Sequence, residues 1–113
     1  MSSNPIPLSP SLRAGDFVYV SGMVAKDFFV GDFPKEVDST LDRISEELAK
    51  HGADLSNVVK VGAYLSNSLL FNEFNEVYAR RFGDTRPTRT TVVVDFAHSN
   101  VRVEMDVVAY VGS

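Results

Sequence analysis

At 113 residues, 44% of them apolar and 23% charged, the chain has the size of one domain built on one hydrophobic core, and it lacks the compositional bias of a disordered segment. Eleven Lys and Arg against 15 Asp and Glu leave a formal charge of −4, which sets aside broad attraction to a phosphate backbone, so nucleic acid is not an expected partner. There is no cysteine, which excludes disulfides, thiolate nucleophiles and metal sites built on Cys.

The opening MSSNPIPLSP has neither a basic nor an apolar stretch of signal type, and no apolar run approaches the ~20 residues that span a bilayer; a cytoplasmic address without membrane contact is expected. FVYVS (17–21) reads as a strand ending in a turn at Gly22, with residues 10–14 as a short partner strand. The loop MVAKDFFVGDFP carries two adjacent phenylalanines, so part of it is expected to pack. From Lys35 to His51, Val37, Leu41, Ile44 and Leu48 recur at helical spacing, and Gly52 stands where a terminating glycine would.

VVKVGAYL (58–65) is rich in β-branched residues and runs into Ser66-Asn67-Ser68, which can cap a second helix. In that helix Phe71, Phe74, Tyr78 and Phe82 form the apolar stripe, closed by Gly83-Asp84. Two strong β segments follow, TRTTVVVDF (88–96) and VRVEMDVVAYV (101–111), and the short AHSN between them reads as the turn of a hairpin. The whole chain, 1–113, is therefore read as a single α+β domain, a mixed sheet with two helices packed on one face. His51 and His98 are expected to be solvated, neither has a metal-ligand spacing to a partner, and no metal site is expected.

Side chains alternate along a strand, so Arg89, Thr91, Val93 and Asp95 share one face of theirs, and Thr90, Val92, Val94 and Phe96 the other. On the last strand Arg102, Glu104, Asp106, Val108 and Tyr110 oppose Val101, Val103, Met105, Val107 and Ala109. The apolar sets are assigned to the helix side. The opposite face, mixed rather than polar, suits a partly buried interface between copies.

SGMV (21–24), HGADLSNVVKVGAYL (51–65), FNEFNEVYARRF (71–82), RPTRTTVVV (86–94) and VEMDVVAYV (103–111) together resemble the Rid/YjgF-like proteins. The F-x-x-x-N-x-x-Y helix followed by P-x-R-[ST] at a strand start carries most of that likeness, which covers residues 9–111. The resemblance implies a chorismate-mutase-like fold, a homotrimer whose sheets form a central barrel, and ligand clefts between subunits. It implies cofactor-free hydrolysis of reactive 2-imino acids, or their 2-enamino tautomers, to 2-keto acids and ammonium. By position Arg89 is similar to the family's carboxylate-binding arginine, Asn75 to its helix asparagine and Ser21-Gly22 to its serine-glycine loop. The chain departs from the archetype at Leu8, Met23, Thr91 and Asp106, where the archetype has tyrosine, glutamine, cysteine and glutamate.

Residue chemistry gives each of these positions two readings. A guanidinium pairs bidentately with a carboxylate, so Arg89 either anchors a small acid or forms an intersubunit salt bridge with Asp106 or Glu104. Imine hydrolysis needs an activated water and a proton for the departing nitrogen; Asp106, or Glu104 on the same face, could carry both, or could pair charges at an interface. Asn75 lies beside an apolar stripe and either meets ligand or bridges to a loop. Ser21 and nearby backbone N–H groups could hold a carboxylate or a developing charge, while no Ser/His/Asp arrangement supports a nucleophile. Thr91 either offers one hydroxyl to a ligand or packs within its strand. The alternative to a deaminase is a noncatalytic trimer that binds small carboxylates.

Overall fold

The computed structural model describes residues 6–29 and 31–112; the first five residues, Val30 and Ser113 lie outside the described residues. The elements follow in the order β1 (Ser11–Ala14), β2 (Phe17–Met23), α1 (Phe33–Ala49), β3 (Val58–Leu65), α2 (Phe71–Phe82), β4 (Thr88–Val93) and β5 (Val103–Tyr110). Short 3-10 turns precede β3 and α2. The strands form one mixed sheet in the spatial order β1-β2-β5-β3-β4, in which only the β3 and β4 pair is parallel. A parallel pair needs a crossover, which α2 supplies. With extents of 47 × 39 × 19 Å the molecule is thin, the thickness of one sheet and one helical layer.

The α1 stripe read from the sequence packs in full, and the α2 stripe in part, because Phe71 is exposed and Val77 is buried in its stead. Val37, Leu41, Ile44 and Leu48 of α1 are fully buried against Val18, Val61, Met105 and Ala109 of the sheet, within one core cluster. The Asp32 carboxylate accepts from the Lys35 N–H at the start of α1, and Pro34 occupies its first turn, where a missing N–H costs nothing. Gly52, at φ +73°, turns the chain out of the helical region after the end of α1. Asn67 accepts from Leu69 N–H ahead of α2, and Phe74, Val77 and Phe82 of α2 are buried.

Two expectations about the C-terminal strands are corrected. The segments read as a hairpin do not pair with each other: β4 lies at the sheet edge beside β3, and β5 inserts between β2 and β3, antiparallel to both. Alternating hydrophobicity reports which face is buried but not which strand lies alongside. The face assignment of the edge strand is also inverted. In the β3/β4 register Arg89, Thr91 and Val93 stand beside the buried Val61, Ala63 and Leu65, on the helix side, whereas Thr90 and Val92 stand on the open side. The assignment for β5 holds from Val103 onward, with Val103, Met105, Val107 and Ala109 buried, whereas Arg102, read onto the opposite face, reaches Glu36 and Phe33 of α1.

The open face carries Leu12, Phe17, Tyr19, Val92 and Tyr110, each between 39% and 47% exposed, together with Val108, Lys60 and Tyr64. This face spans all five strands and has no covering layer among the described residues. Among the described residues no helix is long and apolar enough to cross a membrane.

The start of β5 is clasped to α1 by a buried charge. Glu36, 2% exposed, accepts from Arg102 Nε at 2.7 Å and from the Arg102 backbone N–H at 2.9 Å, while Arg102 Nη2 donates to the Phe29 carbonyl at 3.0 Å. The Arg102 guanidinium also lies over the Phe33 ring, 5.3 Å from its centroid. Removing the arginine would strand a buried carboxylate. Arg102→Ala is therefore expected to destabilise the fold by about 3 kcal/mol or more, read as a lower denaturant midpoint with unchanged slope; a shift within ~0.5 kcal/mol would show that water replaces the guanidinium without loss.

Candidate active site

Arg89 enters the helix side of the sheet near the start of β4, where α2 lays its aromatic face over it. Its guanidinium carbon is 4.6 Å from the Tyr78 ring centroid, 5.3 Å from that of Phe74 and 5.8 Å from that of Phe71. Each ring face attracts the cation. The guanidinium N–H groups donate to nothing among the described residues. Those donors are the ones that match a carboxylate. Arg89 and Asn75 line the same cavity of about 340 Å³, with Tyr78, Phe82, Thr85 and Arg86. The Tyr78 hydroxyl is buried without a hydrogen-bond partner, and burial pushes its pKa up against the opposing pull of the Arg89 charge.

A second group of residues gathers where β2 is irregular. Val20 pairs with Val107 and Met23 with Met105, so Ser21 and Gly22 together oppose Asp106, a bulge with one extra residue. The bulge returns Met23 to the core and brings Ser21 and Gly22 to a cavity of about 510 Å³ that Glu104, Leu8, Val24 and Arg43 also line. The Ser21 hydroxyl donates to the Ser9 carbonyl at 2.7 Å. The Glu104 side chain reaches over Gly22, where any side chain would collide with its carboxylate. Burial, and secondarily the charge of Asp106, push the Glu104 pKa above the usual carboxylate range.

Asp106 lies in a similar arrangement two residues further along β5. It crosses Gly62, whose added Cβ would stand 2.6 Å from Asp106 Oδ1, and it accepts from the Tyr64 hydroxyl at 2.9 Å. That hydrogen bond, and then the carboxylate charge, raise the Tyr64 pKa. Glu104 and Asp106 are thus on the open face, while Arg89 and Thr91 are on the helix face, so no ion pair joins Arg89 to either acid within one chain. The Thr91 hydroxyl is buried without a partner and is not part of the cavity lining around Arg89.

A larger cavity, about 560 Å³, is elsewhere, between the loop after β2 and α1. It mixes Lys26 and Lys35 with Asp38 and Asp42, which are committed to Arg80 and Arg81, and it singles out no ligand. His98 is exposed and stacks on Phe28, whereas His51, expected in solvent, is half-buried with Nε2 2.9 Å from Ser11 Oγ. Sequence reasoning missed Tyr78 and Phe74 as the bed of Arg89; the signal was present in their spacing on one helix face, but the partner strand was placed with the wrong face toward it.

Two helices on one face of a mixed five-stranded sheet, with the other face bare, define the fold class shared with the YjgF proteins. A member of the YjgF/YER057c/UK114 family from Mycobacterium tuberculosis superposes with a TM-score of 0.87 at 30% identity over 94% of this chain and 88% of its own, and yeast Mmf1 with 0.86 at 32% over 95% and 89%. The family model described as Endoribonuclease L-PSP matches residues 2–111, and the chain belongs to that YjgF/RutC/Rid family. A RutC family protein of Pyrococcus abyssi is 33% identical over 92% of this chain and 86% of its own length. The chloroplastic Reactive Intermediate Deaminase A of Arabidopsis thaliana is 31% identical over 91% of this chain, which spans 58% of that protein.

The raised Glu104 pKa has a definite sign in the pH dependence of stability. A carboxyl raised on folding keeps its proton where the unfolded chain, at 4.5, has lost it, so its contribution grows as pH falls through the window above 4.5 and is lost as pH rises through the folded value. Glu104→Gln is neutral throughout and should be more stable than the native chain at neutral pH, with the gap closing below pH 4.5. Denaturation midpoints of both proteins across pH measure this; a gap independent of pH would mean that Glu104 titrates as in the unfolded chain.

Proposed function

We propose that the protein hydrolyses reactive 2-imino acids, or their 2-enamino tautomers, to 2-keto acids and ammonium without a cofactor, in clefts between the subunits of a homotrimer. The observation that carries this reading is Arg89, a half-buried guanidinium held among three aromatic rings with no acidic partner among the described residues. Arg89 holds the substrate carboxylate, with Asn75 beside it on the cavity wall. Across the cleft the neighbouring copy supplies Ser21, Gly22 and Glu104. A protonated Glu104 gives its proton to the imine nitrogen as water adds to the carbon; the resulting carboxylate takes the proton of that water, and the amino alcohol then collapses to ketone and ammonia. A raised pKa suits a group that must begin protonated.

Geometry favours two copies over one. β2 and β4 are three strand spacings apart, roughly 14 Å, and Arg89 and Glu104 face opposite sides of the sheet, so one copy does not present both to a small acid. The uncovered apolar face around Tyr19, Val108 and Tyr110 is the surface on which the sheets would pack into a central barrel. A noncatalytic carboxylate-binding trimer is the second reading, favoured by one observation: Asp106, at the position of the family's late-strand glutamate, is engaged by Tyr64.

Sedimentation should give three chain masses, and ammonium and keto acid should appear faster than in buffer from a 2-imino acid generated in place by an amino-acid oxidase. Arg89→Ala is expected to lower kcat/KM about a hundredfold, the loss of one or two charge-assisted hydrogen bonds at ~1.5–3 kcal/mol each, chiefly through KM. Glu104→Gln should act chiefly on kcat. Keto-acid binding by calorimetry that depends on Arg89, without turnover, would establish the binder instead.

A further inference from the structure

The chain has seven arginines, and their partners divide them sharply. Arg13 donates to the Gly15 carbonyl and approaches Asp16, Arg43 donates to the Val24 carbonyl, Arg80 and Arg81 meet Asp38 and Asp42, and Arg102 meets Glu36. Arg86 and Arg89 alone have neither a hydrogen-bond acceptor nor a carboxylate partner among the described residues, and these two line the same cavity. No acidic residue lines it with them. In a chain of net charge −4, two arginines on one cavity wall without an acidic partner there form a local excess of positive field.

Local structure explains the pairing. Pro87 fixes the backbone between Arg86 and the first residue of β4, and β4 begins at Thr88, so Arg86 leaves the chain just outside the sheet while Arg89 lies within it. Arg89 is half-buried beneath α2, and Arg86 is exposed at the mouth. The remaining lining is Asn75, Tyr78, Ala79, Phe82, Gly83 and Thr85, which offers amide and hydroxyl groups but no further charge.

We infer that the cavity is built for acids with a second anionic group, and that Arg86 recognises the side-chain carboxylate of a 2-imino diacid whose 2-carboxylate is held by Arg89. This deepens the proposed function and rests on Arg89 being the anchor. An exposed arginine at the mouth adds discrimination between diacid and monoacid, since the two share every contact deeper in the cavity. A substrate with an apolar side chain would leave the Arg86 guanidinium solvated, at no cost and with no gain.

The test compares a 2-imino diacid with a 2-imino monoacid of similar length, each generated in place by an amino-acid oxidase, in the native chain, Arg86→Ala and Arg89→Ala. The native chain should prefer the diacid in kcat/KM. Arg86→Ala should lower kcat/KM for the diacid about tenfold, the loss of one charge-assisted contact near the surface, and leave the monoacid within about twofold; Arg89→Ala should lower both. Equal effects of Arg86→Ala on the two substrates, or no effect on either, would overturn the diacid assignment while leaving the deaminase reading standing. If the native chain turns over neither substrate, the deaminase reading falls, and calorimetry decides the assignment alone: the 2-oxo diacid must bind more tightly than the 2-oxo monoacid, with the difference lost in Arg86→Ala. Equal binding of the two, or binding of neither, would sink it.

Discussion

The last strand of the chain occupies the centre of the sheet, and every other part of the structure is arranged around it. β5 is hydrogen-bonded to β2 on one side and β3 on the other; without it β1 and β2 would form a hairpin detached from the β3-α2-β4 unit. Its strict alternation serves two surfaces at once. Val103, Met105, Val107 and Ala109 complete the core beneath α1, while Glu104 and Asp106 present carboxyl groups on the open face. A slip of one residue would bury two acids and expose four core side chains, so the register is strongly specified. The Glu36–Arg102 clasp adds a polar determinant at the point where β5 begins, tying it to the first turns of α1.

Glycine placement completes what alternation starts. Glu104 and Asp106 do not stand up from the sheet but lie across Gly22 and Gly62 of the flanking strands, positions where a side chain would have to displace them. Lying flat costs hydration, which is the larger cause of the raised Glu104 pKa, and brings the two carboxyls under each other's influence. Tyr64 relieves Asp106 by donating to it, and among the described residues Glu104 has no such donor. Two acids two residues apart on one strand are therefore in different chemical situations, which sequence position alone does not distinguish.

The readable part of the sequence was periodicity. The stripes Val37-Leu41-Ile44-Leu48 and Val103-Met105-Val107-Ala109 lead directly to the core, and Gly83 to the end of α2, while Asn67 caps the short 3-10 turn that precedes it. The edge strand was misjudged because its alternation is weak: Val92 and Val93 are adjacent valines and both are exposed, so the pattern of TRTTVVVDF favoured the wrong face. Strand adjacency was illegible for a different reason. A short turn such as AHSN is compatible with a hairpin, and only long-range pairing of β3 with both neighbours excludes it. At the candidate site the residue types were readable one by one, but their partition between the two faces was not.

That partition gives the exposed face a meaning beyond missing cover. A sheet with apolar and aromatic residues across all five strands and a cation on its reverse edge holds two incomplete surfaces, one lacking burial and the other lacking a counter-charge. Association of copies through the open face would satisfy the first by excluding water from Tyr19, Val108 and Tyr110. It would leave the second unsatisfied, because Arg89 lies on the helix side with Arg86 on the same cavity. The fold thus sets its apolar surface and its uncompensated arginines on opposite faces of one sheet.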